Sequence, residues 1–308
     1  MTLPSVPSVS HAQGPNPDGT PFAAETIAYA GSLAKQMTAA CAALLTRADV
    51  LDVDAHIAKW LPELPAWAKE IRITHLVHHT AGLPGTEAVW AQMERTGETD
   101  WTSAGVLAAL SAMPQLDEPP GQVYVYSNAG YICLGRIIER LTGESLDATA
   151  RALLFERLLM RRTSFWSGPT ARPPNAVALP PSPGPRPHSV GDGGLWTSVS
   201  DLLLWNRALL DDTLGISELL HTPGRLDDGT QLDYAWGVRI SRTSGGSVQS
   251  HGGSWEGASA KLVRLPHRRA SFAALALDGS VERMLALSSA LQKAVAAKPG
   301  SSLLENSG

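Results

Sequence analysis

Ser32 and Lys35 stand three residues apart at the head of an apolar helix pattern, and this pairing constrains the chain more than any other feature. Downstream of Ser32, apolar residues fall at Leu33, Met37, Ala40, Cys41, Leu44 and Leu45, which draws one stripe along an α-helix. No proline interrupts the run, and Leu, Ala, Lys, Gln and Met all favour helix. Gly31 lets the chain bend sharply into that helix. At this spacing the two side chains are neighbours, with Cβ atoms about 5–6 Å apart. A serine hydroxyl becomes a nucleophile when a base takes its proton, and a lysine amine serves once burial or a second cation favours its neutral form. An N-terminal serine and a solvated lysine on an ordinary helix is the plain alternative. S-x-x-K alone does not choose between them.

Two further motifs weigh in. Tyr126-Ser127-Asn128 puts a phenol and an amide two residues apart, just ahead of a new apolar helix pattern. His251-Gly252-Gly253 lies between two strand-like segments near the C-terminus. With S-x-x-K, Y-x-N and H-x-G present in that order, the chain resembles the serine β-lactamase-like, penicillin-binding-protein-like family. That family includes class C β-lactamases, D-aminopeptidases, carboxypeptidases, esterases and transacylases.

Composition narrows the partners. The 308 residues are 44% apolar and 18% charged with a net charge of −4, as in globular chains, and ample for a core. No basic block points to nucleic acid or to an anionic membrane. Cys41 and Cys133 each sit in an apolar helix pattern and read as buried free thiols. There is no apolar run of about 18 residues, and Met1–Gln13 has neither a basic nor an apolar leader region, so a cytoplasmic protein is expected.

Along the chain, residues 1–22 are rich in Pro, Gly and Ser and read as extended or disordered. Ile73–Pro84 reads as a short helix stopped by Gly82 and Pro84; His75, His78 and His79 invite a zinc site, but no fourth ligand stands near. Thr102–Met113, the run after Asn128 to about Gly143, and Ser145–Leu159 read as helices, with Ser127 or Asn128 as the cap of the second. Residues 172–194 are an irregular Pro-rich stretch, and Gly191-Asp192-Gly193-Gly194 is too short for a phosphate loop. Ser200–Leu210 reads as a helix. Strand patterns follow at Ala235–Ser241, Ser247–His251, Ala258–Leu265 and Ser271–Leu277, with turns at Gly245-Gly246, Gly252-Gly253 and Pro266–Arg269. Val281–Ala297 is a closing helix, with a frayed tail to Gly308.

The resemblance implies an α/β (α+β) fold of the β-lactamase/transpeptidase kind, an antiparallel sheet flanked by helices with an all-α insertion. Residues 1–50 and 171–308 would form the α/β domain and 51–170 the insertion. The family's leading helix and two strands do not fit into 22 residues, so the expectation is either a smaller sheet with its edge covered at a homo-oligomer contact, or a longer native chain that supplies those elements upstream. The resemblance also implies the roles. Ser32 is the nucleophile, with Lys35 or Tyr126 taking its proton and Tyr126 passing a proton to the leaving group. Asn128 orients Lys35 and substrate; the backbone N–H groups of Ser32 and Ser254 form the oxyanion hole. Gly252 and Gly253 let substrate approach, and His251 bonds Tyr126 or a substrate polar group. The expected activity is that of a serine hydrolase on a small-molecule ester or amide through an acyl-enzyme, with no cofactor. An acyltransferase with an alcohol or amine acceptor is the alternative, and a non-catalytic binding homologue the third reading.

Overall fold

The computed structural model describes residues 10–17, 19–168, 170–181, 184–243 and 245–297. The readings of an irregular start and a frayed tail therefore fall outside the described residues at 1–9 and 298–308. Between residues 10 and 22 the described chain forms no strand, only an isolated bridge between Pro15 and Pro21.

The helix that follows Ser32 begins with a 3₁₀ turn, Gly31–Leu33, and continues as α1, Ala34–Arg47. Its apolar stripe understates its burial: Ala34 through Ala43 are all buried, including Lys35, Gln36 and Thr38. The alanines make this feasible, since a helix side without bulk can be packed against closely on every face. Of the helices that follow, α2 (Ile73–Val77), α3 (Thr86–Arg95), α4 (Ser103–Ser111), α5 (Asn128–Thr142) and α6 (Leu146–Ala150), α5 and α6 pack on α1 directly, while α2 and α4 pack on α5. α2 ends at Val77, sooner than Gly82 and Pro84 suggest, because His79 already takes a left-handed φ of +59°. Gly143, also left-handed, closes α5 where the sequence places its end.

Three short strands escape the sequence reading: β1 (Ala28–Tyr29), β2 (Ser164–Phe165) and β3 (Leu195–Thr197), paired antiparallel in the order β1-β3-β2. Two or three residues carry no alternation to read. β2 falls inside the 51–170 stretch. β3 leads into α7 (Val199–Leu210), capped by the Ser198 hydroxyl, and α8 (Ser217–Leu220) follows.

The larger sheet is an antiparallel meander of β4 (Arg239–Thr243), β5 (Gly246–Trp255), β6 (Ala258–Leu265) and β7 (Ala270–Ala276). Two boundaries differ from the sequence reading. β4 starts at Arg239 because Ala235–Val238 is a turn, in which Ala235 N–H bonds the Val238 carbonyl and Gly237 takes φ +71°. Gly252-Gly253 is no turn but the middle of β5, which runs on to Trp255 before turning at Glu256-Gly257. One face of the sheet gives Ala260 and Leu262 to the main core with α1. The other buries Val248, Val263, Leu265 and Phe272 beneath α9 (Val281–Ala297), whose Leu291 and Val295 pack on them. β7 has no further strand on its outer edge among the described residues, and α9 leaves Val281, Leu285 and Leu287 exposed.

Arg264 of β6 is fully buried, and burial pushes its guanidinium down to about 9. It donates to Gln36 Oε1 (3.1 Å), Asn206 Oδ1 (3.0 Å) and Gln249 Oε1 (3.2 Å), so it ties α1, α7 and β5 together through neutral acceptors.

The glycines of β5 differ in what surrounds them. A Cβ on Gly253 would overlap the Ala30 carbonyl oxygen and stand 3.0 Å from Ser32 N, whereas one on Gly252 meets nothing closer than 3.7 Å. Gly253→Ala should therefore destabilise by about 1–3 kcal/mol, as overpacking does, while Gly252→Ala stays within about 0.5 kcal/mol. Urea unfolding of the two variants checks this; equal effects would mean that β5 does not press on the Ser32 turn.

Candidate active site

Lys35 is wholly buried, and its Nζ lies 3.2 Å from Ser32 Oγ, 2.8 Å from Asn128 Oδ1 and 2.9 Å from the Asp192 carbonyl oxygen. An ammonium has three protons to donate, and three oxygens surround this one. The same nitrogen stands over the Tyr126 ring, 4.8 Å from its centroid, and 5.7 Å from that of Tyr131. Ser32, Lys35, Tyr126 and Asn128, separated by up to 96 positions in sequence, therefore meet around one amine.

The cap of α5 falls to Ser127, whose Oγ accepts the Gly130 N–H at 3.1 Å. Asn128 is thereby released from capping, and its amide oxygen turns to Lys35. Tyr126 is 39% exposed, the most open member of the group.

Asp192 is a site residue the sequence reading missed. It belongs to the Gly191–Gly194 run, where its buried carboxylate accepts from Ser189 Oγ (2.6 Å) and Trp101 Nε1 (3.3 Å). These bonds aim its carbonyl at Lys35, and the neighbouring Gly191 carbonyl accepts from Thr38 at 2.9 Å. The glycine run was the only available signal; it works through peptide oxygens, not as a cradle for phosphate.

β5 supplies the other wall. A Cβ built on Gly31 would be 2.8 Å from Ser254 N, and one on Gly253 is 3.0 Å from Ser32 N, so the backbone at Gly31-Ser32 lies close against that at Gly253-Ser254. His251 points into the protein, 8% exposed. Its Nδ1 is 2.6 Å from the Gly252 carbonyl, which can only accept, so Nδ1 carries the proton. Nε2 is then the acceptor, and the Tyr234 hydroxyl donates to it at 2.9 Å. The expected partner Tyr126 is a ring neighbour at 6.2 Å between centroids, while Tyr234 takes the hydrogen bond. Burial, with Lys35 nearby, pushes His251 down to about 3, and burial raises Tyr234 well above the phenol range. Tyr234 left no mark in the sequence because it precedes β4 in an irregular stretch.

Among the described residues no three His, Cys, Asp or Glu side chains gather as metal ligands would, and His75, His78 and His79 disperse to separate backbone partners. Cys41 and Cys133 are free and buried, and burial pushes the Cys133 thiol up to about 12. No described helix is long and apolar enough to cross a membrane.

The family model described as Beta-lactamase matches residues 9–289. The chain belongs to the beta-lactamase family. It is 26% identical over 280 residues to penicillin-binding protein 4* of Bacillus subtilis (strain 168), covering 81% of this chain and 60% of that one. It is 26% identical over 249 residues to the D-aminopeptidase of Gluconobacter oxydans (strain 621H), covering 77% and 46%. The chain thus spans about half of the length of such relatives. Among solved structures, the penicillin binding protein from Bacillus halodurans aligns with a TM-score of 0.78 at 22% identity, covering 94% of both chains. That likeness is one of fold, the antiparallel sheet and helices of the beta-lactamase family.

Burial holds four histidines of this beta-lactamase-family chain low: His251 and His221 at about 3, His78 at about 4, and His79 well below 6.5. Unfolded, each would titrate near 6.5, so the unfolded chain binds more protons as pH falls. Stability is complete above about pH 6.5 and is lost progressively toward pH 3–4, with each group costing about 1–2 kcal/mol by pH 5. Urea midpoints measured from pH 8 to pH 4.5 should fall steeply; a flat profile would show these rings titrating as if solvated.

Proposed function

We propose that the chain is a serine hydrolase that cleaves a small ester or amide through an acyl-enzyme on Ser32. The observation that carries this reading is the buried Lys35 amine, 3.2 Å from Ser32 Oγ and fixed on its other sides by Asn128 and Asp192. In the reaction Lys35 acts as the free amine, formed when the resting ammonium gives one proton to solvent. Two N–H groups stay on Asn128 and Asp192, and the lone pair takes the Ser32 proton as Oγ attacks the substrate carbonyl carbon. The oxygen that becomes negative faces the N–H groups of Ser32 and Ser254, at the start of a helix whose dipole favours negative charge. Cleavage of the C–O or C–N bond needs a proton on the leaving group, which Tyr126 delivers and then regains from Lys35, whose Nζ stands over its ring. Water then repeats the sequence on the acyl ester and frees Ser32. The names of the relatives, penicillin-binding protein and D-aminopeptidase, support amides and peptides as the substrate class.

The test is covalent. A fluorophosphonate should add one equivalent, with peptide mapping placing it on the peptide that holds Ser32; Ser32→Ala should take up none. Labelling elsewhere would overturn the assignment. Tyr126→Phe should lower kcat for a p-nitrophenyl ester by about 10²–10⁴-fold, and an unchanged kcat would remove Tyr126 from the proton path.

His251 bears on substrate choice. Neutral and already bonded to Tyr234 and Gly252, it offers no fixed positive charge to a substrate carboxylate. A charge-assisted bond contributes about 1.5–3 kcal/mol and a neutral one about 0.5–1.5, so the difference is roughly tenfold in recognition of an anion. Short-chain p-nitrophenyl esters should turn over, while a chromogenic cephalosporin is hydrolysed little. Efficient cephalosporin hydrolysis would show that an anion is held by other groups.

A further inference from the structure

Of the three histidines between Ile73 and Pro84, His79 is the one that reaches the site. Its left-handed backbone, φ +59°, tips the ring inward at the end of α2, where it is 1% exposed. The left-handed region is one that histidine, like asparagine, enters more readily than most residues. The rings of Tyr126, Tyr234, Tyr131 and Tyr124 surround it, with centroids 4.4, 4.7, 5.0 and 6.0 Å away.

His79 grips the Tyr126 segment on both sides. Its carbonyl accepts the Val125 N–H at 2.9 Å, and its Nδ1 accepts the Ser127 N–H at 3.1 Å. The two amides that flank Tyr126 thus end on a single residue. A backbone N–H can only donate, so Nδ1 is bare and the ring proton sits on Nε2. Nε2 is buried among the tyrosines with no hydrogen-bond partner. Burial, then the nearby Lys35 and His251, keep the ring neutral, well below the usual histidine range. His251, whose ring centroid is 6.2 Å from that of Tyr126, holds the opposite tautomer.

We propose that His79 is a positioning residue: its Nδ1, held bare as an acceptor, sets Tyr126 over Lys35 and fixes the entry of Asn128 into α5. This rests on the reading of Tyr126 as the proton carrier. A proton on Nδ1 would set donor against donor at Ser127 and release the turn. A residue that merely filled space would need only a ring of similar bulk, whereas positioning needs the acceptor. Two substitutions separate these. His79→Asn keeps an acceptor oxygen near the place of Nδ1 and suits the left-handed backbone, but gives up the ring. His79→Phe keeps the bulk and loses the acceptor.

With a p-nitrophenyl ester, His79→Phe should lower kcat about 100-fold, the effect of a misplacement near 1 Å, with KM within about threefold. His79→Asn should restore kcat to within about tenfold of the parent protein. Rates are taken per fluorophosphonate-titrated site, so that unfolded protein is not counted. Full kcat in His79→Phe, or an equal loss in both variants, would overturn the proposal. An independent readout is ¹⁵N NMR of the histidine rings in the unmodified protein. His79 should show the Nε2–H tautomer without titrating between pH 5 and 9, and His251 the Nδ1–H tautomer. A titrating or Nδ1-protonated His79 would also overturn it. Absence of Ser32 labelling in the parent protein would instead sink the hydrolase reading and leave the NMR test standing.

Discussion

A cation held by neutral oxygens, with no carboxylate in ion-pair contact among the described residues, governs this molecule. Lys35 has no exposure, and taking an ammonium out of water costs far more than a neutral contact returns unless each proton finds an oxygen. The oxygens come from Ser32 on the same turn, from Asn128, 93 residues away, and from the Asp192 peptide, 157 residues away. The start of α5 and the Gly191–Gly194 run are thus held to α1 by the needs of one amine. Taking away any one acceptor leaves a buried donor unmet, a loss of about 1–3 kcal/mol or more for a charged group.

Close backbone approach is the second requirement. Around the first turn of the nucleophile helix, Gly31 meets Ser254, Gly253 meets Ala30, and Gly237 lies against the Lys35 and Gln36 peptides. At each point a Cβ would force two chains apart. Sheet and helix are therefore in contact through main chain on either side of Ser32 and Ser254.

Much of this was legible in the chain. Ser32, Lys35, Tyr126 and Asn128 are brought to one place, and α5, α9 and β6 run where their periodicity puts them. The losses have physical causes. Gly252-Gly253 looks locally like a turn, yet at Gly253 glycine is required by a neighbour over 200 residues away. β1, β2 and β3 are too short to show a pattern. Asp192 acts at Lys35 through its carbonyl, a group every residue has, so no residue type announces it. Tyr234 and His79 matter through ring contacts and tautomers, which only the assembled site defines.

Arg264 gives the helix a second neighbour of the same sign. Its guanidinium holds Gln36, the residue directly after Lys35, so interior cations stand at two consecutive positions of α1, one borne by the helix and one brought to it by β6. The whole chain carries −4, yet two of its cations lie buried along the helix of its serine, against neutral oxygens. Such zoning lies beneath the reach of mobile ions, because buried charges are screened far less than surface ones. Salt in the surroundings can then change how a charged molecule drifts toward this protein, while the potential felt by an oxygen turning negative at Ser32 stays nearly the same in dilute buffer and in brine.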